Sequence, residues 1–582
     1  MRFVLKLALL AGLVALPGAN LSYAQTSPRS VIVALAQEPD RFYAPATQEG
    51  QLVANLVFDP LVGLDDQMTP YPVLAATLPS PDNGLVRLSG DGADRRLIVT
   101  MLLRQGVTWS DGEAFTADDV IYTWQLMMNP RSGFDTTVED KLKSVDKVDD
   151  YTVQFTYLSA NEARALDPDR YKDQGSDPVV DPLYTFGLYD APAIYPRHKL
   201  RDVIGDDPRH NSQIGALETA DFARNPVGTG PFVLSNWDPG KSLTFTSRGL
   251  ALPQRLAQPA VDSIVFQIMP DKNDSLTALS AGQIQLVASD ALDASDAPVL
   301  DTLPGVQAHY TSGSAWEHLT FNLDNPILAD PTVRQAIAYG IDRGALNTDV
   351  MAGKAEVAAG QVPSWSWAFD AELSRYDHSS AHANQLLDAA GWTRGGDGIR
   401  AKGGQRLSLK YWSPPASFRG ALMAEVKQQL TQVGVDLAID TIPPVQFFDT
   451  SGTVNQSLAA RQFDVVEFAW VSSFDPGSDA LFNLHSAAVP SRANGFQGGN
   501  YGDYKNPRSD QLLTQLQRSL DPSFRRIALK EAQTIWQSDL PALPLLVRPI
   551  TTASSTSLGG FKPTPAVAGE TWNAEQWTLS TP

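Results

Sequence analysis

Hydrophobic positions in this chain recur with a period of 2 in some stretches and about 3.6 in others, and each change of period marks an element. Leu97 to Leu103 is a dense apolar run of strand length, and Ser110-Asp111-Gly112 supplies turn residues. Thr116 stands three residues before Asp119, a capping-box spacing. Val120, Trp124 and Met127 follow at i, i+4 and i+7, one face of a helix. Asp330-Pro331 reads as N-cap and N1 of a further helix, with Val333, Ile337 and Ile341 on one face. Asp377 is expected to cap a helix carrying Leu386, Leu387 and Ala390, stopped by Gly391. Leu422, Val426 and Leu430 form a stripe ended by Gly434, after which Val435, Leu437 and Ile439 alternate as a strand. Asp521-Pro522 starts a late helix carrying Phe524, Ile527, Ala528, Ile535 and Trp536. Other strand-length runs are Ser30 to Ala36, Leu243 to Thr246, Ile264 to Ile268, Ser408 to Tyr411 and Phe463 to Phe468. Strands and helices mixed without a repeat period predict α/β lobes. Periodicity leaves open how the lobes are cut.

Composition changes this picture in three ways. Arg2 and Lys6 precede an apolar stretch from Leu7 to Leu16, and Ser22-Tyr23-Ala24 offers small residues at −3 and −1 of a cleavage site. That is the pattern of a secretory signal peptide over residues 1–24, too short to span a bilayer. The 582 residues include no cysteine, which excludes disulfides, thiolate chemistry and a lipidated cysteine anchor. A free periplasmic protein, stabilised by ordinary burial, is the expectation. The net charge of −20 argues against nucleic acid or anionic lipid as partners and reads first as solubility.

The run from Trp109 to Trp124, Trp-Ser-Asp-Gly-Glu-Ala-Phe-Thr-Ala-Asp-Asp-Val-Ile-Tyr-Thr-Trp, resembles the signature region of the family 5 extracellular solute-binding proteins, the dipeptide and oligopeptide receptors of ABC importers. Further blocks resemble the family in the same order: Asn225 to Gly240, Phe321 to Arg343, Leu386 to Trp392, Tyr504 to Leu513 and Glu531 to Leu545. The resemblance implies a two-lobe periplasmic binding protein fold, a hinged type II clamp of α/β class with an extra domain inserted in the first lobe. It implies lobe I over residues 25–66, 216–314 and 549–582, the inserted domain over 67–215, and lobe II over 315–548. It also implies a monomer that captures a peptide or other small molecule and hands it to the inner-membrane permease of an ABC importer, without cofactor.

The segment Phe463-Asp-Val-Val-Glu-Phe-Ala-Trp-Val-Ser-Ser-Phe-Asp-Pro476 resembles the family's binding strand and the loop after it. In peptide-binding members this strand pairs with the ligand through main-chain hydrogen bonds. The resemblance therefore points to Ala469, Trp470, Val471, Ser472, Ser473 and Phe474 as binding residues, with Trp470 as an apolar wall. A core strand with Trp470 packed beneath it is the alternative. The family's peptide binders carry, three residues after this tryptophan, an aspartate that pairs with the ligand's α-ammonium. Here Ser473 stands in that place. Either Asp475 takes over, or the ligand lacks a free amino terminus; Asp475 also reads as a turn residue ahead of Pro476.

Twelve tryptophans keep an oligosaccharide ligand open. Trp365 and Trp367 would share a face if their segment is extended, and Trp316 precedes a strand near the expected hinge. Their other reading is core or inter-domain packing. No Gly-x-Ser-x-Gly elbow, Walker A or His-Glu-x-x-His is present, so a secreted hydrolase is the weaker alternative, as is a chaperone using the same cleft. Asp464 and Glu467, three apart on a strand, would face opposite ways. His378 and His382 have i, i+4 spacing but no evident third ligand, and no metal site is assigned. Gly228-Thr-Gly230 reads as a turn before Pro231.

Overall fold

Two long strands, Val306–Phe321 and Ala542–Ser555, run antiparallel through the middle of one eleven-stranded sheet. The computed structural model describes residues 29–580 except 46, 135–138, 169–170, 172–173, 182–192, 256, 374–375 and 567–568. The signal peptide expected over residues 1–24 therefore lies outside the described residues.

Outward from Ala542–Ser555 come Leu286–Val287, Ser30–Leu35, Ser263–Ile268, Ser242–Ser247 and Phe232–Asp238. Outward from Val306–Phe321 come Val465–Val471, Ser408–Ser413 and Asp436–Thr441, and Glu356–Val357 pairs with Ala542–Ser555. Residues 306–312 pair with 549–555 in the first lobe, and 316–320 with 542–547 in the second. The register slips between these stretches. There, a Cβ on Gly313 would lie 2.6 Å from the Arg548 carbonyl oxygen, so only glycine lets the two backbones approach. The lobes are thus joined by a pair of continuous strands.

Each lobe has its own core. Val31, Val33 and Leu35 pack with Leu52 and Leu56 of helix Gln48–Val57, and Trp577 returns to the same cluster from the C-terminal end. In the second lobe Leu319 and Phe321 pack with Val333, Ile337, Leu422 and Val426 on one face of the sheet. Trp316, Val466, Phe468 and Trp470 pack with Leu512 and Leu529 on the other. A third core, from Leu61 to Ile194, covers a separate four-stranded sheet ordered Val86–Ser89, Arg96–Leu102, Thr152–Tyr157, Leu142–Asp149.

The strand, turn and capped helix around Trp109 form as the pattern predicts, the helix being Ala117–Met127. The buried Asp119 carboxylate accepts from the Thr116 N–H at 2.9 Å, the Arg197 N–H at 3.0 Å and the Trp109 indole at 3.4 Å. Asp330 and Asp521 cap their Pro-started helices as expected. Ser379, and not Asp377, caps Ser380–Ala389, accepting from the His382 N–H at 3.2 Å. Ile527 and Ile439 are exposed, the latter because it sits on the outermost strand of its lobe. Gly228 and Gly230 press against the end of helix Gln48–Val57, where a Cβ on Gly228 would lie 1.8 Å from the Val57 carbonyl oxygen. This turn is a packing device.

Candidate functional site

Strand Val465–Val471 ends at the cleft between the lobes with a particular exposure of its backbone. It pairs antiparallel with residues 315–321 along its whole length, but with Ser408–Ser413 only at Val465 and Val466. Beyond Val466 one edge has no ladder partner among the described residues. The Ser472 N–H donates to the Ser314 carbonyl at 2.8 Å, which fixes the phase of the ladder. By alternation, the N–H and C=O of Ala469 and Val471 point to the open edge. The Val471 side chain is 66% exposed there.

Trp470 faces the other way. Its ring is buried, stacked at 4.0 Å on His318 and edge-on to Trp316 at 5.2 Å. Trp316 is equally buried, and its indole donates to the Ser472 hydroxyl at 3.1 Å. The expected aromatic wall is therefore a layer beneath the strand that stiffens its end. His318 lies wholly inside this layer, and burial pushes its pKa down to about 3.

The loop after the strand sorts its two aspartates. Asp475 caps helix Pro476–Leu484, accepting from the Gly477 N–H at 3.1 Å and the Ser478 hydroxyl at 2.8 Å. It also pairs with the buried Arg525 at 2.6 Å. With all this inside the lobe, Asp475 does not offer its carboxylate to the cleft, contrary to the expectation that it replaces the missing aspartate. Asp479, one turn further on, accepts from the Ser473 N–H at 2.8 Å and the Ser473 hydroxyl at 2.7 Å. Among the described residues no cation pairs with it. Burial raises its pKa to about 7, the Ser473 hydrogen bonds oppose this, and Asp475 adds repulsion. Asp479, Val471, Ser472 and Trp316 line one small recess. An acid one turn into a Pro-started helix was the sequence signal, and it reads equally as an ordinary helix-terminal charge.

Trp365 and Trp367 lie in successive turns, not an extended segment, so the alternation expected of them does not apply. The Trp365 indole donates to the Gly313 carbonyl at 2.9 Å at the hinge, and that of Trp367 to the Phe474 carbonyl at 3.0 Å. Arg525 and Arg526 lie 5.3 and 5.8 Å from the Trp367 ring centre. Both indole N–H groups are thus engaged within the protein.

A cavity of about 500 Å³ lies between the lobes. Gln48, Asp293 and Glu570 line it from the first lobe, Ser417 and Phe418 from the second, and Ala315 and Arg548 from the connecting strands. It adjoins the open strand, since Ala315 is paired with Val471. Behind Arg548 lies a buried set of charges. Arg419 reaches Glu317 at 3.1 Å and Glu467 at 3.6 Å, and the Tyr411 hydroxyl donates to Glu467 at 2.8 Å. Burial, then repulsion from Glu317, holds the Glu467 pKa well above the carboxylate range. Glu467 belongs to this core, while Asp464 accepts from Asn325 and the Lys410 N–H. The two carboxyls do not converge. His378 lies before the first turn of its helix, 3.0 Å from the Ser380 hydroxyl, and His382 packs edge-on to Tyr339.

Comparison with known proteins places the fold. The family described as bacterial extracellular solute-binding proteins, family 5 Middle, matches residues 70–491. The chain is 26% identical over 540 residues to the oligopeptide-binding protein AppA of Bacillus subtilis (strain 168), covering 91% of this chain and 87% of that one. The solved structure of that Bacillus protein with a nonapeptide superposes with a TM-score of 0.64 at 22% identity, covering 95% of this chain and 99% of the other. HbpA2 from Haemophilus parasuis superposes with a TM-score of 0.74 at 19% identity, over 95% and 100% of the two chains.

Proposed function

As the chain belongs to the bacterial extracellular solute-binding proteins of family 5, we propose that it captures peptides in the cleft and delivers them to the permease of an ABC importer. The open edge at Ala469 and Val471 carries this reading. Two residues with main-chain donors and acceptors facing a cleft suit an extended peptide, which adds as a further strand whatever its sequence. The resemblance to a relative whose structure holds a nonapeptide supports the same ligand class.

In this reading Asp479 receives the ligand's amino terminus, and Ser473 positions it. A carboxylate with two hydrogen-bond donors and no cation is stabilised in its charged form by an incoming ammonium. Ala469 and Val471 supply the strand edge; Ser472, Trp470, Trp316 and Trp367 support it from beneath. The family resemblance favours a division into lobe I (25–66, 216–314, 549–582), an inserted domain (67–215) and lobe II (315–548), although the inserted domain's core begins at Leu61. Closure about the two connecting strands shifts an existing open–closed balance, because the ligand touches both lobes only in the closed form. The protein acts as a free periplasmic monomer after removal of residues 1–24.

Mass spectrometry of small molecules released from the purified, denatured protein tests the ligand class. A ladder of short peptides is expected; oligosaccharides in their place would overturn the reading. Small-angle scattering with an identified peptide should show a smaller radius of gyration, and an unchanged one would count against closure.

A further inference from the structure

The first-lobe wall of the inter-lobe cavity carries Glu570, and behind it two further carboxylates, Asp290 and Glu49, come in from segments far apart in sequence. Glu570 lines the cavity and is 2% exposed. One of its oxygens accepts from the Ser289 N–H at 2.9 Å; the other has no partner. Asp290 follows Ser289, and one of its oxygens accepts from the Ala36 N–H at 2.6 Å while the other is also unpartnered. Glu49 is buried in the first turn of helix Gln48–Val57, beside Gln48, which donates to the Ser289 hydroxyl at 2.7 Å. Among the described residues no lysine, arginine or histidine pairs with any of the three. Arg548 does not neutralise them, because the charges acting on it are Glu317 and Arg419.

Buried carboxylates without a cation are costly, and here three lie together at the edge of a cavity that Glu570 lines. We propose that Glu570, backed by Asp290 and Glu49, forms a subsite for a positively charged side chain of the bound peptide, a lysine or arginine. The proposal rests on the peptide reading above and adds a preference to it. An ammonium or guanidinium brings a positive charge and several donors to a wall whose carboxylates have no cation of their own. A hard metal ion would ask for six or more oxygen ligands, and only one of the three carboxylates lines the cavity. Repulsion from Glu49 and Glu570 adds to burial in pushing the Asp290 pKa up to about 7, which a neighbouring cation would reverse.

The test uses the full mature chain and alanine peptides of two to five residues, each carrying one lysine at a successive position, with norleucine counterparts of the same shape. Isothermal titration should find a position where lysine binds about tenfold more tightly than norleucine, the effect of a charge-assisted hydrogen bond. Glu570→Gln and Asp290→Asn should each cut that preference severalfold. Norleucine peptides that bind, with no gain from lysine at any position, would overturn the subsite alone. A lysine preference untouched by both variants would also overturn it. If neither series binds at any length, the peptide reading falls and the subsite with it.

Discussion

Ser473 donates twice to Asp479, its backbone N–H at 2.8 Å to one carboxylate oxygen and its hydroxyl at 2.7 Å to the other. Ser473, at the position where the resemblance leads one to expect an ammonium-binding aspartate, thus orients a carboxylate six positions later. Asp479→Asn should weaken binding of peptides with a free amino terminus by about tenfold or more, since charge-assisted hydrogen bonds contribute roughly 1.5–3 kcal/mol. N-acetylated peptides should bind the wild-type protein poorly and lose little more in the variant. Equal wild-type affinity for both peptide forms would remove the ammonium role.

Asp475 and Arg525 form a buried pair with both side chains 3% exposed. Removing one partner from such a pair typically costs about 3–5 kcal/mol, because the other charge stays buried alone. Asp475→Asn should therefore lower the urea midpoint strongly. Replacing both by Asn and Met should recover part of the loss. If Asp475→Asn left stability unchanged and abolished peptide binding, the division of labour between Asp475 and Asp479 would be reversed.

Local patterns in the sequence carried the scaffold far and the site only partly. Asp330-Pro331 and Asp521-Pro522 announce helix starts because capping is decided within a few residues. Asp377 misled because Ser379 offers equally good capping chemistry two residues later, and only the packing of the helix chooses between them. Trp365 and Trp367 misled for a related reason: alternation needs an extended backbone, and turns break it. The open edge at Ala469 and Val471 depends on where Ser408–Ser413 stops pairing, about 50 residues away. Asp290 and Glu570 meet from positions 280 apart, which no local pattern records.

Trp470→Ala tests whether that ring is foundation or surface. The indole is buried against His318, Trp316 and Phe468. Truncating a buried tryptophan typically costs about 3–5 kcal/mol. A large fall in unfolding free energy is expected, with weaker binding as its consequence. A fully stable variant with lost affinity would mean that the ring faces the ligand.

His318 makes stability depend on acid in a defined window. Its pKa is pushed down to about 3, against 6.5 for the free side chain. Above pH 6.5 the ring is neutral in both folded and unfolded chains, and it contributes no pH dependence. Below that, the unfolded chain takes up a proton that the folded one refuses, so stability falls by about 1.4 kcal/mol per pH unit. Asp479 and Asp290, with pKa values raised to about 7, act in the opposite sense, because their folded forms take up protons first as pH falls. Comparing the wild type with His318→Phe isolates the histidine. Between pH 6.5 and 5 the variant should lose less stability than the wild type, by about 2 kcal/mol at the lower end. Parallel urea-midpoint curves would exclude this role.

Peptide affinity should also follow the proton on Asp479. Its raised pKa means that near pH 6 the unliganded protein holds this carboxyl largely protonated, with burial as the main cause. An ammonium ligand favours the ionised form, so binding must expel the proton. Each unit of pH below about 7 then weakens binding of a free-amino peptide by up to tenfold, while above 7 the affinity levels off. Isothermal titration at pH 5.5, 6.5 and 7.5, repeated in buffers of different ionisation enthalpy, should show proton release that grows toward low pH. Asp479→Asn should abolish that release along with the slope. If the variant still released protons on binding alanine peptides, another group would hold the amino terminus.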